Sequence, residues 1–209
     1  MADQLYLSLW FPNFRTEALP DKLVCALEQF ARVSGSNRVS AATVTPLNWH
    51  ESPVFQRIFV NDERAQESDD SLPKNAVAEA TENGHQDMAF EFEMKWDLWT
   101  PEDSELDFDR TWRLVPATVK IIGFGPEFDD GSYEQNGHIR VDFGLDTAWV
   151  LEDEDMDEIA TQKLQQNIEK LLAFTLSVEK HCGVSSRLLW TESGEPLAEK
   201  LIAKLQRLN

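Results

Sequence analysis

The clearest pattern in the chain runs from Ala89 to Trp99. Phe90, Phe92, Met94, Trp96 and Leu98 alternate with Glu91, Glu93, Lys95 and Asp97. A period of two over that length predicts a strand with one face on a core and one in water, because successive side chains of a strand point to opposite faces. Leu5, Leu7, Leu9 and Phe11 repeat the pattern near the start, and Pro12-Asn13 ends it. Ile139, Val141, Phe143 and Leu145 alternate in the same way. Val39 to Trp49, Phe55 to Val60, Val115 to Phe124 and Ser186 to Trp190 read as further strands. Gly123 and Gly125 mark a bulge or a close approach of backbone.

Helical spacing appears between these strands. From about Pro20, Leu23, Leu27, Phe30 and Ala31 form an apolar stripe, which Ser34-Gly35-Ser36-Asn37 stops. Ser71-Leu72-Pro73 opens a short helix, and Asn83-Gly84 closes it. The longest helix runs from about Met156 to Cys182, with Ile159, Leu164, Ile168, Leu171, Thr175 and Val178 on one side. Acids in its first turn and Lys180 and His181 in its last suit the helix dipole. At 1.5 Å per residue it spans ~40 Å, enough to cross a whole sheet. A last helix is expected from Pro196, with Leu197, Leu201, Leu205 and Leu208 on one face.

The order is βαββαβ followed by ββαβα. It predicts an α+β fold, a mainly antiparallel sheet with helices packed on one face. The first block has the order of a ferredoxin-like split βαβ unit. One domain over residues 1–209 is expected, and the alternative is two halves, 1–100 and 110–209, sharing a core. The acidic stretch that begins Thr100-Pro101-Glu102-Asp103 is the place to divide them.

Charge changes the picture next. Asp and Glu number 38 against 19 Lys and Arg, giving a formal charge of −19. The acids gather in runs between the apolar segments: 62–70, 102–109, 127–134 and 152–158. Such a rim repels nucleic acid and anionic membranes and favours cationic partners. With 42% hydrophobic residues the chain is nonetheless expected to be ordered. Cys25 and Cys182 fall on separate predicted helices and are expected as two reduced thiols packed as small hydrophobes. Free thiols, and a start without a basic export segment, lead to the expectation of a cytoplasmic protein.

No motif names a reaction. The run from Gly125 to Glu134 holds Glu127, Asp129 and Asp130 near Gly131, but it lacks the alternating order of a calcium loop. His181 and Cys182 are helical neighbours and cannot chelate one ion. No metal site or cofactor is therefore expected. Serine-hydrolase and nucleotide-loop signatures are missing as well. Seven tryptophans remain. Trp49 and His50 end a strand, Trp99 lies opposite the main apolar face of its own, and Trp112 and Trp149 flank acidic runs. Tyr133 and His138 belong to the 123–138 loop region, so Trp49, His50, Trp99, Glu127, Asp129, Asp130, Tyr133 and His138 are the candidate binding residues. The favoured expectation is an acidic protein-interaction module, inhibitor- or immunity-like or self-assembling. Its partner would be a basic protein or a second copy, not nucleic acid and not a membrane. The alternative is an enzyme or small-ligand binder with a pocket near the 123–138 loop.

Overall fold

A computed structural model describes residues 2–47, 51–59, 69–102, 111–129, 131–150 and 158–193. The strands are β1 (Gln4–Trp10), β2 (Ala41–Pro46), β3 (Phe55–Ile58), β4 (Met88–Glu102), β5 (Thr111–Phe124), β6 (Ile139–Leu145) and β7 (Ser186–Thr191). The helices are α1 (Leu19–Ser34), α2 (Pro73–Thr81), the single turn α3 (Ser132–Gln135) and α4 (Glu158–Cys182). Among the described residues the strands form one seven-stranded sheet in the order β3-β2-β4-β5-β6-β1-β7. Every neighbouring pair is antiparallel. The expected α+β arrangement with an antiparallel sheet and helices packed against it is therefore present. The βαββαβ order is present too, but β4, β5 and β6 lie between β1 and β2, so these six elements are not contiguous in the sheet.

The alternation sets the layers. Leu5, Leu7 and Leu9 of β1 and Phe92, Met94 and Trp96 of β4 are buried beneath the helices. So are Leu23, Leu27 and Phe30 of α1 and Leu164, Ile168, Leu171 and Val178 of α4. Phe30 meets Trp96 at 5.1 Å and Phe174 at 5.4 Å between ring centres, which joins strand, α1 and α4 in one aromatic contact. Ile159 departs from the α4 stripe and is 59% exposed. Trp149, expected beside an acidic run, is fully buried against Trp96 and Phe143.

α1 and α4 run antiparallel. Gln29 accepts a hydrogen bond from Ser177 Oγ at 2.8 Å, and further along the pair Cys25 and Cys182 are joined by a disulfide. The expectation of two free thiols is corrected here. The stripes that put each cysteine on its helix's inward side are the same stripes that bring the helices together, so packing delivers the two sulfurs to one place. A polar side chain makes the second tie. Buried Asn167 of α4 donates to the carbonyls of Trp99 and Ala148, both at 2.8 Å, and accepts from the Trp99 N–H at 2.9 Å. Each polar atom of that amide is satisfied, which is the condition for burying it.

Several boundaries differ from the sequence expectation. β2 begins at Ala41 rather than Val39, and β3 ends at Ile58. β4 and β5 pair from Ala89↔Phe124 to Glu102↔Thr111, so the acidic stretch offered as a division has paired strands on both sides. β2 flanks β4 only over residues 88–93, and β6 flanks β5 only over residues 120–123, so the rest of the β4–β5 pair projects as a two-stranded ribbon. Pro101 and Pro116 lie in that ribbon, where a missing N–H does least harm to a ladder. The helix expected from Pro196 lies outside the described residues, as do the acidic runs at 62–68, 103–109 and 152–157.

Two measurements check this architecture. Phe92→Ala should lower unfolding free energy by ~3–5 kcal/mol, as a large-to-small change at a fully buried site, in a denaturant titration. Thiol titration of the denatured, unreduced protein should find no free sulfhydryl. Reduction should lower stability by ~2–5 kcal/mol, because the bond closes a sequence separation of 157 residues.

Candidate functional site

The register gathers five connections at one end of the sheet. Trp10 lies opposite Ser186, Leu9 opposite Ile139, Gly123 opposite Ile139, Ala89 opposite Phe124, and Pro46 opposite Met88. Residues 11–18, 47, 51–54, 82–87, 125–129, 131–138 and 183–185 therefore share that end, with the N-terminus of α1 and the C-termini of α2 and α4.

Its centre is aromatic. The His138 ring stacks on Phe14 at 4.2 Å and lies 4.6 Å from Tyr133, while Phe11 stacks on Phe14 at 5.7 Å. The Asn13 backbone takes a left-handed conformation (φ 49°), which turns the chain between the two phenylalanines. His138 Nδ1 accepts the Phe11 N–H at 3.0 Å, so in its neutral form the ring carries its proton on Nε2. Burial holds the His138 pKa below its ordinary value and pushes that of Tyr133 up. Trp10 donates its indole N–H to the Glu134 carbonyl at 3.0 Å and so ties β1 to α3.

Residues 125–127 are anchored by backbone. The Gly125 N–H donates to the Met88 carbonyl at 2.8 Å, and the Glu127 N–H to the Gln86 carbonyl at 2.9 Å. A Cβ on Gly125 would stand 2.2 Å from the Gln86 oxygen, and one on Gly123 would stand 2.8 Å from Leu19 Cδ1. Both glycines are thus close approaches, one of loop to loop and one of helix to strand. Phe128 is buried on the sheet face away from the helices, with Ala89, Ile122 and Phe124. On that same face Arg140 lies between Tyr6 and Phe124, at 5.2 and 5.3 Å from the ring centres. Ser8 is buried there under Trp190, which donates to its hydroxyl at 3.0 Å. Glu91, expected in water, pairs with Lys120 at 3.0 Å and is only 14% exposed.

A cleft of about 390 Å³ opens beside this cluster, between the start of α1 and the end of α2. Thr16, Glu17, Leu19 and Pro20 line one wall, and Thr81, Gly84, His85, Gln86 and Phe90 the other. Leu19 and Phe90 are buried, whereas Glu17, His85 and Gln86 are exposed.

Acids ring the cluster and the cleft. Glu17, Asp21, Glu82, Glu127, Asp129 and Glu134 are exposed around them. Arg15, Lys22 and Arg187 are cations on the same side; Lys22 is committed to the Cys182 carbonyl at 2.8 Å and Arg187 to Glu179 at 2.9 Å. Lys180 stands farther off, on the last turn of α4. Among the described residues no group of three or more His, Cys, Asp or Glu is placed to hold a metal ion.

The sequence candidates divide accordingly. Tyr133 and His138 touch, and Glu127 and Asp129 lie on the same loop, where Asp129 accepts from Ser132 Oγ at 3.2 Å. Trp49, His50 and Asp130 lie outside the described residues. Trp99 sits on the far ribbon. Its indole donates to Gln166 Oε1 at 2.7 Å and Lys163 covers its ring at 3.3 Å, so it serves the α4 contact and is not part of this end. Phe11, Phe14, Glu17, His85 and Phe90 were not among the candidates. Pro12-Asn13 signalled a turn that would put Phe11 and Phe14 near each other, but no local pattern links residues 16–20 to residues 81–90.

Two outcomes test this geometry. Gly125→Ala should destabilise by ~1–3 kcal/mol in a chemical melt, because the new methyl meets backbone that has no room to yield. His138 has a lowered pKa in the fold, so the unfolded chain binds its proton more readily, and the His138 contribution to stability is lost as pH falls below 6.5. His138→Gln should flatten the stability profile between pH 6.5 and about 5, above the range where carboxylates titrate.

No family model matches this chain, nor does any curated protein or solved structure, so the reading of this end rests on the chemistry of its own side chains.

Proposed function

We propose that the chain is an acidic protein-interaction module and that the loop end of its sheet is the face that meets a basic partner. The observation that carries this reading is the placement of Glu17, Asp21, Glu82, Glu127, Asp129 and Glu134 around a half-buried aromatic cluster, on a chain of net charge −19. Aromatic anchors inside a charged rim give a partner apolar contact at the centre and electrostatic register at the edge. The same field opposes approach of nucleic acid and of anionic membranes. Among the described residues no helix is long and apolar enough to cross a membrane.

A catalytic pocket at the 123–138 loop has less support, because Phe124, Phe128, Tyr133 and His138 fill the space under it. A self-assembling module has less support too, because two copies would bring like-charged rims together. The disulfide also bears on setting. A cytoplasmic placement rested in part on two free thiols, and the joined pair suits an oxidising compartment better.

The test uses a tetra-arginine peptide captured on a surface. Glu127→Gln, Asp129→Asn and Glu134→Gln together should lower its association rate more than Glu158→Gln, Glu169→Gln and Glu192→Gln, which remove the same charge far from the cluster. Association should slow as salt rises, since screening acts over about 8 Å at physiological ionic strength. Equal effects of the two triple variants, or tight binding to duplex DNA at physiological salt, would overturn the assignment of this face.

A further inference from the structure

The cleft between α1 and α2 has a chemistry of its own. Leu19, Pro20 and Phe90 give it an apolar floor, and Thr16, Glu17 and His85 stand at its rim. An apolar floor with a carboxylate at the mouth suits a side chain that is aliphatic along its stem and cationic at its tip. A purely apolar guest would leave the Glu17 carboxylate at the mouth without a counter-charge. An anionic guest would meet Glu17 at the rim and Asp21 on the next turn of α1, both exposed.

The helix ends around the cleft agree with a cation. α2 ends here, and the C-terminus of a helix presents its negative pole. The N-terminus of α1 presents a positive pole, but Glu17 and Asp21 stand in the preceding turn and in the first turn of that helix and offset it. The width of the cleft depends on Gly84. A Cβ there would stand 2.7 Å from Phe90 Cζ, so a larger residue would push the floor ring or fill the opening.

We infer that this cleft is the subsite that receives one arginine or lysine side chain of the basic partner. The stem lies along Phe90 and Leu19, and the cationic head pairs with Glu17. The inference rests on the proposed interaction with a basic protein and adds where the decisive side chain goes.

The experiment titrates the oxidised, full-length protein with a tetra-arginine peptide, a tetra-lysine peptide and a neutral tetra-citrulline peptide, reading amide shifts by NMR. The cationic peptides should shift Gly84, His85 and Gln86, and citrulline should not. Glu17→Gln should weaken binding about two- to fivefold, as expected for a partly exposed charge pair. Thr16→Phe, which fills the mouth, should abolish the shifts at Gly84 and His85. Shifts confined to residues 127–134, with affinity unchanged in Glu17→Gln, would overturn the subsite and leave the acidic face standing. Failure of both cationic peptides to bind would overturn the subsite and the interaction reading together. Equal shifts from citrulline would overturn the cationic assignment alone. The mapping on the unaltered protein does not depend on either variant folding.

Discussion

Burial of one face of β4 under α1 and α4 is the constraint on which the remaining structure depends. Phe92, Met94, Trp96 and Leu98 lie at successive inward positions of a strand that pairs with β2 along one part and with β5 along its length. A shift of one residue in that register would send every one of these side chains into water and every charge into the core. The alternation therefore fixes which face the helices cover. That fixes where α1 starts, and the start of α1 forms one wall of the cleft. The face away from the helices follows from the same choice, with its Arg140, Lys120 and Glu91 contacts and the small Phe128 cluster.

Helix placement then needs ties that hydrophobic contact alone would not specify. Leu and Phe contacts tolerate sliding. The Asn167 amide does not, because its carbonyl and its two N–H groups are matched to three backbone groups in fixed positions, and a slip of one helical turn would leave two carbonyls and an N–H without these partners. At the last residue of α4 the disulfide fixes Cys182 to α1. Two ties, one near the middle of a helix and one at its end, set both its position and its angle.

The strands were legible because a period of two is a local signal. Phe90 to Leu98 and Ile139 to Phe143 could be read without knowing what they touched. The long helix stripe was legible for the same reason. The disulfide was not, since each cysteine alone looks like a small hydrophobe and only the antiparallel packing of α1 on α4 brings the two together. Trp149 could not be placed from the sequence, because its neighbours there are acidic while its neighbours in space are Trp96 and Phe143. Glu127, Asp129, Tyr133 and His138 were found together because they lie on one loop. Glu17 and His85 were missed because the cleft joins segments far apart in the chain.

The position of β1 has a consequence in time. Of the described strands β1 is made before the others, yet it lies between β6 and β7, which are among the last described elements made. Its backbone N–H and C=O groups have no sheet partner until residue 139 and beyond have emerged, and the half-cystine at position 25 waits still longer for position 182. Leu5, Leu7 and Leu9 are exposed through that interval as an unpaired strand. Such contacts between distant parts of a chain form slowly and leave strand edges open to misassociation. Leu5, Leu7 and Leu9, fully buried in the finished sheet, therefore need shielding while the chain is being made.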